Sequence, residues 1–247
     1  MKLSSGQGRG GSSGKFAGLK ETQMEDTSQT SNKEISLVTA YLMLRMAIGV
    51  LGTALPFIVS IGAWILWQTG IQESISRYYY TGTRDVFVGT LFAIGVFLVS
   101  YKGYNEKKGD HDNIAGNFAG AFAVGVALFP TTPPAGASSH DKVIGAVHLV
   151  FASLLFLTLA YYSLCLFTKK DANASPRKLQ RNRIYRICGY TIVACIALVV
   201  VIRVLLPNEL RDSLQACHSI FWLESIAVVA FGSSWLIKYG ALWADQA

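Results

Sequence analysis

The side chains able to do chemistry are few, and most stand at the edges of apolar runs. Glu224 lies in SIFWLESIAVVAFG, His148 in DKVIGAVHLVFASLLF, Arg203 near the end of CIALVVVIRVLL, and Asp85 directly before VFVGTLFAIGVFLVS. Ser74, Ser76, three consecutive tyrosines and Arg84 lead into Asp85 in SISRYYYTGTRD. A carboxylate in apolar surroundings can serve as a general base when desolvation raises its proton affinity. An imidazole can activate a hydroxyl or ligate zinc. The candidate catalytic groups are therefore Glu224, His148, Asp85 and Ser76. Arg84 and Arg203 are suited to hold an anion, with Asp85 and Glu224 positioning them and Tyr79 beside them.

Each has a plainer reading. Glu224 and Arg203 can form an ion pair joining two helices, and His148 can be a hydrogen-bonded packing residue. A zinc site would combine His148 with His140 or His218 and a carboxylate, lowering the pKa of bound water towards neutrality. No HxxxH or HExxH spacing supports it, so no cofactor is predicted and zinc stays an alternative. A Ser, His and Asp set from Ser74 or Ser76, His148 and Asp85 lacks the GxSxG turn of a nucleophile elbow. Haem would need histidines on facing helices, and His148 alone is placed that way. Tyr78, Tyr79 and Tyr80 with Trp64, Trp67 and Trp222 fit an aromatic belt at one membrane surface, and Tyr101, Trp235, Tyr239 and Trp243 one at the other.

The elements that must position these residues are membrane helices. The chain has 247 residues, 51% hydrophobic and 15% charged, against roughly 25% charged in soluble domains. Residues 1–35, with SSGQGRGGSSGK, offer almost nothing to a core and are expected to be a disordered cytoplasmic tail. Residues 36–240 are expected to form an all-α bundle of six transmembrane helices, at about 42–67, 83–101, 114–129, 143–167, 187–206 and 219–237, followed by a C-terminal tail at 241–247. No cleavable signal peptide is expected. Gly116, Ala119, Gly120, Ala123 and Ala127 bring small residues to one face of the third span, which predicts close helix packing. Four cysteines without CxxC spacing predict no structural disulfide.

Seventeen of the 22 Lys and Arg fall on the side of the termini, seven of them between Lys169 and Arg186. That bias predicts cytoplasmic N- and C-termini. It also accounts for the net charge of +7 without a nucleic-acid partner. With that orientation, Glu224 and His148 lie about 7 Å below the outer surface, at about 1.5 Å of rise per residue. Arg203 and Asp85 sit in the same layer on two further helices.

Read together, YLMLRMAIGVLGTALPFI, SISRYYYTGTRDVFVG, YKGYNEKKGDHDNIAGNFAGAFAVGVALFPT and FWLESIAVVAFGSSWLIK resemble a group of uncharacterised bacterial six-span integral membrane proteins, over nearly all of residues 41–238. The loop ahead of the second span and the six-span layout are similar to the broader DRAM/Sfk class, which includes regulators of autophagy and lipid organisation. The resemblance implies a multi-pass protein of the bacterial plasma (inner) membrane with no established activity. Arg84, Asp85, Glu224 and Lys238 stand within its recurrent phrases.

These readings leave three functions open. The first is binding of a lipid head group or small solute at the outer face, with membrane lipids as partners. The second is a metal-dependent intramembrane hydrolase, and the third a proton-coupled transporter using Glu224. The absence of an internal repeat weighs against the third.

Overall fold

The computed structural model describes residues 12–101, 111–168 and 175–240, and every regular element among them is helical. The expectations for residues 1–11, for Lys169 and Lys170, and for Trp243 with the tail 241–247 lie outside the described residues. The chain divides into two units, residues 1–42 and 43–247.

Helix α1 runs Ser12–Trp67 and contributes to both units. It includes Ser12 to Glu34, within the stretch expected to be a tail. The local reason is composition: Lys20, Glu21, Gln23, Met24 and Glu25 are good helix formers. Residues 29–40 are exposed throughout, so no tertiary burial supports this stretch.

The second unit holds the rest of α1 and six further helices: α2 Arg84–Ser100, α3 His111–Leu128, α4 Ser139–Tyr161, α5 Pro176–Val200, α6 Asn208–Ala216 and α7 Ser219–Tyr239. Helices α4 and α5 each continue into one π-helical turn, Tyr162–Leu166 and Val201–Leu205. Ile48, Gly52, Leu55, Val59 and Ala63 form a buried stripe on α1, while Phe57, Ile61 and Trp64 on its other side are exposed. Val143, Val150 and Leu157 on α4 and Val193, Val200 and Val204 on α5 and its π-helical turn also point outward. Helices apolar on both faces are typical of membrane spans.

Four helical stretches are long and apolar enough to cross a membrane: Gln29–Trp67, Ser139–Leu166, Pro176–Leu205 and Ser219–Tyr239. Helices α2 and α3 occupy the other two expected stretches but have 17 and 18 residues. At about 1.5 Å per residue they fall slightly short of a hydrocarbon core about 30 Å thick.

Two close crossings organise this unit. A Cβ at Gly120 of α3 would lie 2.6 Å from Gly95 O of α2, and one at Gly116 would lie 2.6 Å from Leu98 O. A Cβ at Gly232 of α7 would lie 2.7 Å from Gly49 O of α1. Only glycine permits such approach, so the small-residue face of α3 does pack tightly.

Near the C-terminal end of α7, Tyr101, Tyr162, Phe167 and Phe231 surround Trp235 with ring centroids 4.8 to 6.1 Å away. Tyr101 and Trp235 are thus core residues and not members of an aromatic belt, because rings from four other positions enclose the indole. Tyr78 is likewise fully buried, whereas Trp64, Trp67 and Trp222 are exposed. All four cysteines are free thiols.

Candidate functional site

The site forms where the chain leaves α1 and folds back over the bundle before entering α2. Ile75–Tyr80 is a 3₁₀ helix, and with about three residues per turn Ile75 and Tyr78 fall on one side. Both are buried, and Tyr78 packs its ring at 6.1 Å from Phe221 of α7. Burial raises the Tyr78 phenol above its usual range, against the smaller lowering effect of the Gln72 N–H. Ser74 provides no side-chain cap for this turn. Glu224 supplies one from α7 instead, its Oε2 accepting the Ile75 N–H at 2.7 Å.

A second loop, Phe129 to Ser138, closes the site from α3 to α4. Tyr80 Oη donates to Thr131 O at 2.5 Å, which ties the two loops together. Thr132 lies against Gly145, where a Cβ would come within 2.7 Å of the Thr132 N. Ser138 and Asp141 then form a capping box that starts α4. Three residues after Gly145, on the same buried side of α4, His148 reaches both loops. Its Nδ1 is 2.6 Å from Phe129 O and its Nε2 is 2.9 Å from Ser76 Oγ.

A carbonyl oxygen can only accept, so in the neutral ring Nδ1 carries the proton and Nε2 presents a lone pair. The Ser76 hydroxyl therefore donates to Nε2. Both ring nitrogens are engaged, which leaves neither for a metal in this arrangement. Among the described residues no three His, Cys, Asp or Glu side chains converge on a metal-sized site. His140 is exposed at the start of α4, and His218, in the left-handed conformation between α6 and α7, lines no part of the His148 cavity.

Ser76 and His148 open onto a cavity of about 290 Å³ that also receives Arg77, Lys142, Arg203 and Glu224, with Ser74, Thr131 and Thr132 adding hydroxyls. Arg77 Nη2 contacts Glu73 at 3.1 Å, while Nη1 is buried without a hydrogen bond. Arg203 comes from the π-helical turn that ends α5, a distortion often found at functional sites. Arg203 and Glu224 share the cavity, but among the described residues no ion pair joins them, and Glu224 Oε2 instead accepts from the backbone of the 3₁₀ helix.

The cavity adjoins an apolar groove of about 120 Å³ between α4, α5 and α7, lined by Phe156, Ile196, Val200, Val204, Leu223 and their neighbours. Arg203 and Glu224 line both spaces, as do Leu149, Ala152 and Val199. From Cys195 to Arg203 the groove follows α5 and its π-helical turn, a length of about 12 Å at the helical rise. A charged, hydroxyl-rich chamber and an apolar trough thus lie side by side and share five lining residues.

Of the residues singled out by sequence, Ser74, Ser76, His148, Arg203 and Glu224 come together. Arg84, Asp85 and Tyr79 do not line this cavity. Arg84 Nη2 donates to Tyr79 Oη at 2.7 Å, and its guanidinium lies 4.3 Å from the Tyr79 ring centroid. Asp85 is exposed in the first turn of α2, where a carboxylate complements the helix dipole.

Sequence reasoning missed Arg77, Lys142, Thr131 and Thr132. For Lys142 a signal was present: Lys142, Gly145, Leu149 and Ala152 recur with helical period and all line the cavity. No family model matches the chain, and neither a curated protein nor a solved structure matches it.

Proposed function

We propose that the protein is a six-span membrane protein that binds an anionic amphiphile, with the head group in the chamber and an acyl chain in the groove. The observation that carries this reading is that Arg203 and Glu224 line both spaces. With Arg77 paired to Glu73, Lys142 and Arg203 still outnumber the single remaining carboxylate of Glu224, which favours an anion. Arginine suits a phosphate in particular, because its planar fork can engage two oxygens at once.

Topology adds weight. In the bacterial plasma membrane, with both termini cytoplasmic, the chamber faces the outer leaflet. The outer side then holds only five Lys and Arg, namely Arg77, Arg84, Lys142, Arg203 and Arg211. Three of those five line one cavity. Gathering them there runs against their scarcity on that side, and a bound anion gives the gathering a reason.

The test is lipid analysis of the purified full chain. Wild-type protein should retain anionic phospholipid through detergent exchange, and Arg203→Ala and Lys142→Ala variants should lose most of it. Equal retention by folded variants would remove the reading.

A further inference from the structure

We propose that Ser76 is a nucleophile activated by His148 and that the protein cleaves a carboxylic ester of the amphiphile it binds. This rests on the binding reading above and extends it from holding a lipid to cutting one.

The geometry comes first. Ser76 Oγ and His148 Nε2 are 2.9 Å apart, within the range expected of a nucleophile and its general base. The Phe129 carbonyl holds the opposite nitrogen at 2.6 Å, fixing the ring with its basic lone pair towards Ser76. A backbone carbonyl here does the orienting work that a carboxylate does in a Ser, His and Asp triad. Ser76 and His148 lie on different elements, the 3₁₀ helix and α4, and meet at the wall of the charged chamber. Glu224 acts as a positioning residue, since its bond to the Ile75 N–H anchors the backbone one residue before Ser76.

The chemistry balances with water as the only co-reactant. Ser76 Oγ attacks the ester carbonyl carbon as its proton passes to His148 Nε2, and the carbonyl π pair moves onto oxygen. Arg203 and Lys142 provide positive charge in the same chamber for that oxyanion. Collapse breaks the bond to the alcohol oxygen, which leaves with the proton from Nε2, and the acyl group remains on Ser76. His148 then takes a proton from water as it attacks the acyl carbon. Returning that proton to Ser76 Oγ releases the carboxylic acid. The net reaction is ester plus water to acid plus alcohol, with no metal required.

The substrate class follows from the chamber and groove together. The cations select an anionic head, the groove takes one apolar chain, and the carbonyl joining the two would sit where Arg203 and Glu224 border both spaces. An anionic phospholipid has this order of groups.

The experiment treats the purified full chain with an alkyl fluorophosphonate and maps the adduct by mass spectrometry. In parallel, phosphatidylglycerol vesicles are assayed for released fatty acid. The expected result is a single adduct on Ser76, slowed at least about 100-fold in His148→Ala, with fatty-acid release abolished in Ser76→Ala. Absence of the adduct or of Ser76-dependent release in the wild type overturns the proposal. If lipid retention still depends on Arg203, the binding reading survives that failure. If retention is also insensitive, both fall.

A second variant covers loss of folding in Ser76→Ala. In a background carrying Cys165→Ala and Cys217→Ala, Ser76→Cys should react with iodoacetamide at least about 10-fold faster than Ser76→Cys combined with His148→Gln, because a paired imidazole favours the thiolate. Equal rates would show that His148 activates nothing at this position.

Discussion

Glu224 Oε2 accepts the backbone N–H of Ile75 at 2.7 Å, joining residues 149 positions apart. Glu224 belongs to α7 and Ile75 begins the 3₁₀ helix, so one carboxylate fixes the covering segment to the bundle. The bond needs an acceptor oxygen, and a glutamine amide provides one. Glu224→Gln should therefore stay close to wild type in thermal stability, whereas Glu224→Ala leaves a buried donor unmade at about 1 to 3 kcal/mol. Thermal unfolding in detergent, followed by tryptophan fluorescence, measures the difference. Equal losses in both variants would mean that the charge, and not the acceptor, is what the fold uses.

The α2 and α3 crossing makes a sharper steric prediction. At Gly120 an added Cβ meets the Gly95 carbonyl at 2.6 Å, and backbone cannot move aside as a flexible side chain can. Gly120→Ala should cost about 1 to 3 kcal/mol by overpacking. Gly89 on α2 has nothing within 4 Å of its would-be Cβ. Gly89→Ala should be neutral, or stabilising by up to about 1 kcal/mol through helix propensity. Denaturation midpoints for the two variants test the pair, and a Gly120→Ala protein as stable as wild type would contradict the close approach.

Much of this arrangement can be read from the chain because membrane helices announce themselves. Apolar length locates α1, α4, α5 and α7, and small residues at Gly116 and Gly120 foretell a tight crossing. Position along a helix gives depth, which is why His148, Arg203 and Glu224 could be placed in one layer. Depth does not give rotation. Asp85, expected in the same layer, is exposed, while Lys142 lines the chamber that holds His148. The residues hardest to foresee lie in the loops: Arg77 and Thr131 reach the chamber only because the 3₁₀ helix and the Phe129 to Ser138 segment fold over the bundle. Their placement depends on contacts such as Tyr80 with Thr131 that no local pattern encodes.

Arg203 and Arg84 should behave oppositely in ligand retention. Arg203 borders both the chamber and the groove, whereas Arg84 is stacked on Tyr79 and lines neither. A charged hydrogen bond contributes about 1.5 to 3 kcal/mol, so Arg203→Ala should weaken phospholipid binding about 10- to 100-fold. Arg84→Ala should leave it within about 2-fold, since the energy difference would be under about 0.5 kcal/mol. Titration of each detergent-solubilised variant with phosphatidylglycerol, read by native mass spectrometry, gives both values. A larger loss at Arg84 than at Arg203 would place the head group outside the chamber.

The number of crossings can be decided at one loop. If α2 and α3 cross the membrane, the residues between them face the cytoplasm together with the start of α5. If only α1, α4, α5 and α7 cross, those residues stay on the outer side with the Phe129 to Ser138 loop. The two short helices make this a fair contest, with 17 and 18 residues against the roughly 20 usually needed. Lys102, Lys107 and Lys108 between the two helices favour crossing by the positive-inside rule. In a background carrying Cys165→Ala and Cys217→Ala, Ala135→Cys should react with an impermeant maleimide on intact cells, and Ser175→Cys only after permeabilisation. Lys107→Cys should follow Ser175→Cys. Labelling of Lys107→Cys from outside would reduce the protein to four spans and leave α2 and α3 as a hairpin on the outer face.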